Sequence, residues 1–535
     1  MRSRSLAAVA LIFAVLSGCT CGGGDKEAKK GPQPSELLKA LPKAAVSRPS
    51  ALVPKAVLEG SPRAMVVAAA DARGAWDAFL KTAPGKALVE GGAIEHVGLS
   101  AQMERALSLS HDLATASEHP LAADRLAEAF SGPAAVGVMD DEGDDADFVV
   151  VKEVDGSQEF VVRLALMAST LKQGYGVSNE QYEGHPVKKM VRGKRTLWVA
   201  AFQNVLIAST NEQLAKAAVS LALGKGGESV ESIEGYKKEV DKLQGHRLAA
   251  LVSLEEDGPA ALLLGLSQLT LGLDLDSGQL QLGGELSDSP DTVAAFRALA
   301  YVPKDAVFFS SLGAANASAF LERLGSPEGK NAKEMRKGLV LPSELEDSLT
   351  DEAFYGLLGV EDTRFNHLLG LGVKDAAAAN KAFSALAKNW LDTPEKQDIA
   401  PGVSAFCNST EGLCLALAKD YLLAATDLES LTAAVETGLG KRPALSDVKG
   451  FQQVGKSGDA RFLTAYVDTA GAADAMLTFF RAVGRTQSQS FDTGDVDASV
   501  APLCEAMKKL PPYGGGLTAD GTAVAGQFQP LPVQQ

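Results

Sequence analysis

Gly450-Phe-Gln-Gln-Val-Gly-Lys-Ser457 is a literal match to the phosphate-binding pattern G-x-x-x-x-G-K-S. That chemistry needs a buried strand before the loop and a helix after it, so that backbone N–H groups and the helix N-terminus cradle phosphate. Here Pro443–Lys449 does not read as a buried strand, and Gly458–Val467 reads as a strand rather than a helix. No nucleotide site is expected. A second candidate is Met139-Asp-Asp-Glu-Gly-Asp-Asp-Ala-Asp147, which gathers Asp140, Asp141, Glu142, Asp144, Asp145 and Asp147. Clustered carboxylates suit a weak Ca²⁺ site, yet the spacing lacks the distal bidentate Glu of an EF-hand loop. A solvated hairpin tip is the reading preferred for it. The six histidines, His96, His111, His119, His185, His246 and His367, form no i, i+4 pair suited to Zn²⁺. No G-x-S-x-G elbow occurs. Scattered Asp and Glu could pair in space as glycosidase carboxylates do, but no spacing singles a pair out. No cofactor and no catalytic residue is assigned.

The clearest signal lies at the N-terminus. Arg2 and Arg4 supply a positive start, and Leu6–Leu16 is an uninterrupted apolar run. Eleven helical residues rise only about 16 Å, against the roughly 30 Å needed to cross a bilayer. The run therefore reads as the core of a secretion signal. Leu16-Ser17-Gly18-Cys19 follows, and it resembles the lipobox of bacterial lipoproteins. The resemblance implies that diacylglycerol is attached to the Cys19 thiol, that residues 1–18 are cut away as a signal peptide, and that the new amino terminus is acylated, for example with palmitate. Thr20, by analogy with lipoprotein sorting, implies delivery to the outer membrane, facing the periplasm or the cell surface. Several acyl chains anchor stably where one is marginal.

The elements that would position any chemistry come next. Residues 19–60 are rich in Gly, Lys and Pro and read as the lipidated cysteine with a flexible tether. With hydrophobic residues at 46%, the rest is long enough for domains with real cores. A net charge of −16 argues against nucleic acid, which demands a basic stripe, and against adhesion to anionic lipid beyond the anchor.

An internal duplication organises the remainder. Pro62–Leu80 aligns without gaps on Pro303–Leu321, each reading as Pro, a basic residue, an apolar strand, then a helix carrying Ala-Phe-Leu. Asn204–Thr210 matches Asp420–Thr426, and Leu223-Gly-Lys225 matches Leu439-Gly-Lys441. Both copies end in alternating segments broken by turns, at Asp276-Ser277-Gly278 and at Asp520-Gly521. Leu126–Phe130, Glu212–Leu223, Ala376–Ala387 and Asp427–Leu439 carry helical apolar spacing. The fold class is thus α+β, in two tandem copies over residues 61–292 and 293–535, each an antiparallel sheet with hairpins and several packed helices. The frame resembles a family of bacterial extracytoplasmic proteins known only as a domain of unknown function, which brings no site residues with it.

Export also bears on the cysteines. Cys407 and Cys414 flank the polar turn Asn408–Leu413, so they should face each other across a hairpin and form a disulfide in an oxidising envelope. At the repeat offset Val191 and Trp198 should face each other in the first copy. Cys504 reads as a small buried residue. The whole suggests a lipid-anchored envelope protein, non-catalytic, that binds a protein or lipid partner in the envelope or serves in an assembly. The rival reading is an envelope hydrolase with an unrecognised carboxylate site.

Overall fold

The computed structural model describes residues 41–59, 64–82, 131–139, 147–154, 176–192, 195–254, 266–286, 297–312, 343–361, 363–391, 393–408, 412–448, 463–486 and 496–531. Backbone contacts divide the chain into two compact units. The first comprises Met1–Leu254 and Gln268–Gly278, the second Glu255–Ser267 and Gln279–Gln535. Each is a mixed α/β unit built on an antiparallel sheet.

In the first unit the elements are β1 (Met65–Ala69), α1 (Ala72–Lys81), β2 (Ala134–Met139), β3 (Asp147–Glu153), β4 (Gly176–Tyr182), β5 (His185–Arg192), β6 (Arg195–Ala201), β7 (Val205–Ser209), α2 (Glu212–Ala222), α3 (Glu234–Val240), β8 (Arg247–Ser253) and β9 (Leu266–Asp274). The strands lie in the order β9-β8-β1-β2-β3-β7-β6-β5-β4. Central β2 (Ala-Ala-Val-Gly-Val-Met) is buried on both faces, as a continuous apolar run should be. Edge strand β4 (Gly-Val-Ser-Asn-Glu-Gln-Tyr) is mostly exposed, and its polar residues suit an unpaired sheet edge. Helix α2 starts at Asn211, whose side chain accepts the N–H groups of Gln213 and Leu214. It buries Leu214, Ala215, Ala218, Val219 and Ala222, a single helical face, against the sheet.

The expected tether to residue 60 is corrected from residue 41 onward. Leu41–Glu59 forms a strap that belongs to the core of the first unit. Leu52, Val53 and Val57 are fully buried and pack with Val66, Val149, Ile207, Leu214, Val219 and Tyr236. The strap is also stitched by backbone. Gln203 N–H donates to the Pro42 carbonyl (3.0 Å), Ala45 N–H to Ala222 (2.7 Å), Lys55 N–H to Glu228 (2.8 Å) and Val230 N–H to Val53 (3.0 Å). Proline content suggested a linker, but Pro49 opens a short 3₁₀ turn and Pro54 a backbone bridge, and the Leu and Val side chains around them complete the core.

The second unit contains β10 (Leu280–Leu286), β11 (Phe308–Leu312), β12 (Leu349–Glu361), β13 (Arg364–Val373), α4 (Ala376–Trp390), β14 (Pro394–Ala400), β15 (Val403–Asn408), β16 (Cys414–Leu417), β17 (Tyr421–Ala425), α5 (Leu428–Gly438), β18 (Leu463–Val467), α6 (Thr469–Thr486), α7 (Ala501–Met507), β19 (Tyr513–Asp520) and β20 (Ala523–Pro530). Their order is β10-β20-β19-β18-β11-β12-β13-β17-β16-β15-β14. Asp375 and Asp427 cap α4 and α5. A strap recurs: Leu445 N–H donates to the Val302 carbonyl (2.8 Å) and Lys304 N–H to Pro443 (3.1 Å). The bridging proline is Pro303, facing Ala444, where the first unit has Pro54 facing Ser229. Pro62, aligned with Pro303 from sequence, lies outside the described residues.

Two further expectations change. The boundary placed between residues 292 and 293 falls earlier, because β10 pairs with β20 from Leu280↔Phe528 to Glu285↔Ala523 and so belongs to the second unit. Cys407 and Cys414 are in register and disulfide-bonded. Val191 and Trp198 are not opposite each other: Val191 faces Thr196, and Trp198 faces Lys189, whose ammonium lies 5.5 Å over the indole. Lys189 and Trp198 are nine positions apart and the cysteines seven, so a gapless alignment misplaces one pair of the ladder. The β19–β20 hairpin turns after Asp520↔Ala523 with Gly521 at φ +61°, as its Asp-Gly sequence requires. Cys504 is fully buried in α7.

Candidate binding cleft

Two adjoining clefts open on the first unit between the β4–β5 hairpin and α2. The hairpin is a tight turn, with Tyr182↔His185 as its last pair and Glu183 and Gly184 at φ +52° and +83°. Helix α2 presents Glu212, Lys216 and Ser220 at intervals of four, hence on one stripe. The smaller cleft has a volume of 340 Å³ and is lined by Glu180, Tyr182, Glu183, Glu212, Lys216 and Ser220. The larger, 610 Å³, shares Glu183 and Ser220 and continues to Pro54, Lys55, Leu221 and Glu228. Both volumes fall in the range of small-molecule sites.

The polar groups are interlocked. Lys216 Nζ lies 2.8 Å from Glu212 Oε1 and 4.9 Å from the centre of the Tyr182 ring. The Tyr182 hydroxyl donates to Glu180 Oε2 (3.2 Å), and Lys189 Nζ stands 3.4 Å from Glu180 Oε1. Ser220 donates to Glu183 Oε1 (2.6 Å), while Lys225 Nζ donates to the Glu183 carbonyl (2.9 Å). Burial pushes the Tyr182 hydroxyl well above the usual phenol range, and the Glu180 charge beside it adds to this. The hydrogen bond from Lys216 holds Glu212 below the usual carboxylate range. Across both clefts Glu59, Glu180, Glu183, Glu212 and Glu228 stand against Lys55, Lys216 and Lys225 of the lining and Lys189 beside it, which leaves one negative charge in excess.

Two buried carboxylates serve the straps instead. Glu231 accepts from Arg48 and from the Ser50 hydroxyl. Glu352, 1% exposed, accepts the N–H groups of Arg297 (2.6 Å) and Ala298 (3.1 Å) at the start of a 3₁₀ turn. They latch the strap segments in place.

The residues singled out from sequence do not converge on this cleft. Cys19, Asp140, Asp141, Glu142, Asp144 and Asp145 lie outside the described residues, as do Gly450–Ser457, His96, His111 and His119. Asp147 is spent on structure: its carboxylate accepts from the Thr210 hydroxyl (3.0 Å) and the Asn211 amide (2.7 Å) and so fixes the entry to α2. His246 sits 2.9 Å from Asp276, and His367 Nδ1 lies 2.7 Å from the Tyr355 hydroxyl. Among the described residues no group of three or more His, Cys, Asp or Glu side chains could hold a metal ion. None of the described helices is long and apolar enough to cross a membrane. The cleft residues escaped sequence analysis because they come from an edge strand and a helix some 30 positions apart, with no motif between them. Period-four spacing of Glu212, Lys216 and Ser220 was the one available signal.

No protein-family profile matches the chain, and no curated protein matches it in sequence. Among solved structures, crystal form III of TP0453 is similar at a TM-score of 0.23 and 9% identity, over 45% of this chain and 81% of that one. Crystal form IV of TP0453 gives a TM-score of 0.23 and 10% identity, over 47% and 83%.

Proposed function

We propose that this chain is a lipid-anchored envelope protein that captures a ligand in the α2 cleft of its first unit. The observation that carries the reading is the strap. The segment that follows Cys19 joins the folded core from Leu41 onward and runs past the cleft at Pro54 and Lys55. Residues 20–40 span at most about 75 Å of contour. An anchored Cys19 therefore keeps the cleft close to a bilayer. Leu16-Ser-Gly-Cys19 supports the anchor, and Thr20 supports an outer-membrane destination. The Cys407–Cys414 disulfide suits an oxidising compartment outside the cytoplasm.

The two units are read as copies of one ancestral fold. The same run of pairings supports this: β9-β8-β1-β2-β3-β7-β6-β5-β4 in one, β19-β18-β11-β12-β13-β17-β16-β15-β14 in the other. So does the shared strap, with Val53-Pro54-Lys55 answering Val302-Pro303-Lys304.

Metabolic labelling with an alkynyl fatty acid tests the anchor. The wild-type chain should be labelled and sediment with membranes, and Cys19→Ser should be neither. A variant that still carries label would refute the assignment.

A further inference from the structure

The smaller cleft already holds one ammonium group of its own, which shows what chemistry it accepts. Lys216 Nζ rests over the face of Tyr182 while sharing its charge with Glu212. A ring face and a carboxylate together make a seat for an amine-bearing cation. The seat is firm. Tyr182 is only 8% exposed, and its hydroxyl is tied to Glu180. Its occupant is held loosely, since the Lys216 and Glu212 side chains are 50% and 43% exposed. Exposed pairs at this spacing contribute little, so Lys216 can swing into solvent at small cost. The net negative lining favours a cation as its replacement, and the larger cleft offers room for the rest of such a molecule.

We propose that this cleft binds a primary alkylammonium group, which displaces Lys216 from the Tyr182 ring and takes over the Glu212 carboxylate. The proposal rests on the reading of the cleft as a ligand site. Its ligand chemistry could be presented by a free polyamine or by an ethanolamine lipid headgroup.

Calorimetric titration of the full chain in detergent with spermidine, at fixed ionic strength, tests it. Saturable binding is expected. Tyr182→Leu should weaken it by about threefold to fivefold, the worth of one exposed cation–π contact. Lys216→Met should tighten it by about twofold or more by removing the competing ammonium. A purely structural Lys216 would give no gain, so unchanged or weaker binding by Lys216→Met overturns the proposal. So does wild-type affinity in Tyr182→Leu, or no saturable binding by the wild type. None of these results depends on Cys19 labelling, so the two readings fail separately. To separate the sources, the unlipidated Cys19→Ser chain is sedimented with phosphatidylethanolamine or phosphatidylcholine vesicles. Selective retention on the former, abolished by Tyr182→Leu and by spermidine, assigns the site to the headgroup. Spermidine binding without such retention assigns it to a soluble amine.

Discussion

Replacing Leu52 by Ala separates a packed strap from a flexible tether. Leu52 is fully buried among the side chains of the first unit's core. Truncation there removes the transfer energy of the lost methyl and methylene groups and leaves a cavity, which together destabilise by about 3 kcal/mol. For a unit of this size that corresponds to a fall in melting temperature of roughly 6–12 °C. Val46 lies in the same strap but is 37% exposed, so Val46→Ala should change stability by less than about 0.5 kcal/mol. Hydrogen exchange read by mass spectrometry is the suitable assay, because it assigns the loss to peptides. Protection should fall in Leu52→Ala across Val66, Ile207 and Tyr236, and stay at the wild-type level around Tyr421 and Leu431 in the second unit. If the two variants melt alike, within about 0.5 kcal/mol of the wild type, the strap is not part of the core and the reasoning fails.

Two further outcomes follow from particular contacts. Reducing Cys407–Cys414 should destabilise the second unit by about 2.4 kcal/mol, the chain-entropy value for so short a loop, and leave exchange in the first unit unchanged. Peptide mapping that links Cys407 to Cys504 would contradict the register, since Cys504 is buried in α7. His185 is 2% exposed and stacked on Phe202 at 4.0 Å, and burial lowers its imidazole below the usual range, opposed only by the backbone of Ala201. The unfolded chain then binds the proton more readily, so stability contributed at neutral pH is lost as pH falls below about 6.5, by at most about 1.4 kcal/mol for each step of one in pH. His185→Phe should flatten this dependence in urea titrations between pH 7 and pH 5. An equally steep loss in the variant would show that another group carries it.

Much of the second unit was legible because its signals are local. Helical spacing marked Ala376–Ala387 and Asp427–Leu439, and Asp520-Gly521 marked its hairpin. The cysteine hairpin was legible for the same reason: two apolar strand ends met across one polar turn. What failed was length and distance. Lys189 and Trp198 enclose more chain than the cysteines, and apolar strands give no sign of where extra residues sit. The strap was missed because five prolines between residues 32 and 54 outweighed Leu52, Val53 and Val57, whose partners lie far away in sequence. Val53-Pro54-Lys55 and Val302-Pro303-Lys304 hold like places in the two straps, a likeness hidden in the sequence because Pro62-Arg63 offered a longer match. Of the cleft only the period-four stripe on α2 was legible, since Tyr182 and Lys216 meet only after β4 and α2 are in place.

The strap also constrains how the first unit comes to fold. Its residues are synthesised early, yet the groups that fasten them are made much later. Ala44 donates to Asn204, 160 positions on, and Arg48 pairs with Glu231, 183 positions on. Closing such loops is entropically expensive and slow. The strap must therefore remain open, its Leu and Val side chains in water, until most of the unit has been synthesised. A chaperone that shields short apolar segments would protect this interval, and a chain stalled before Asn204 should be a ready substrate for proteases.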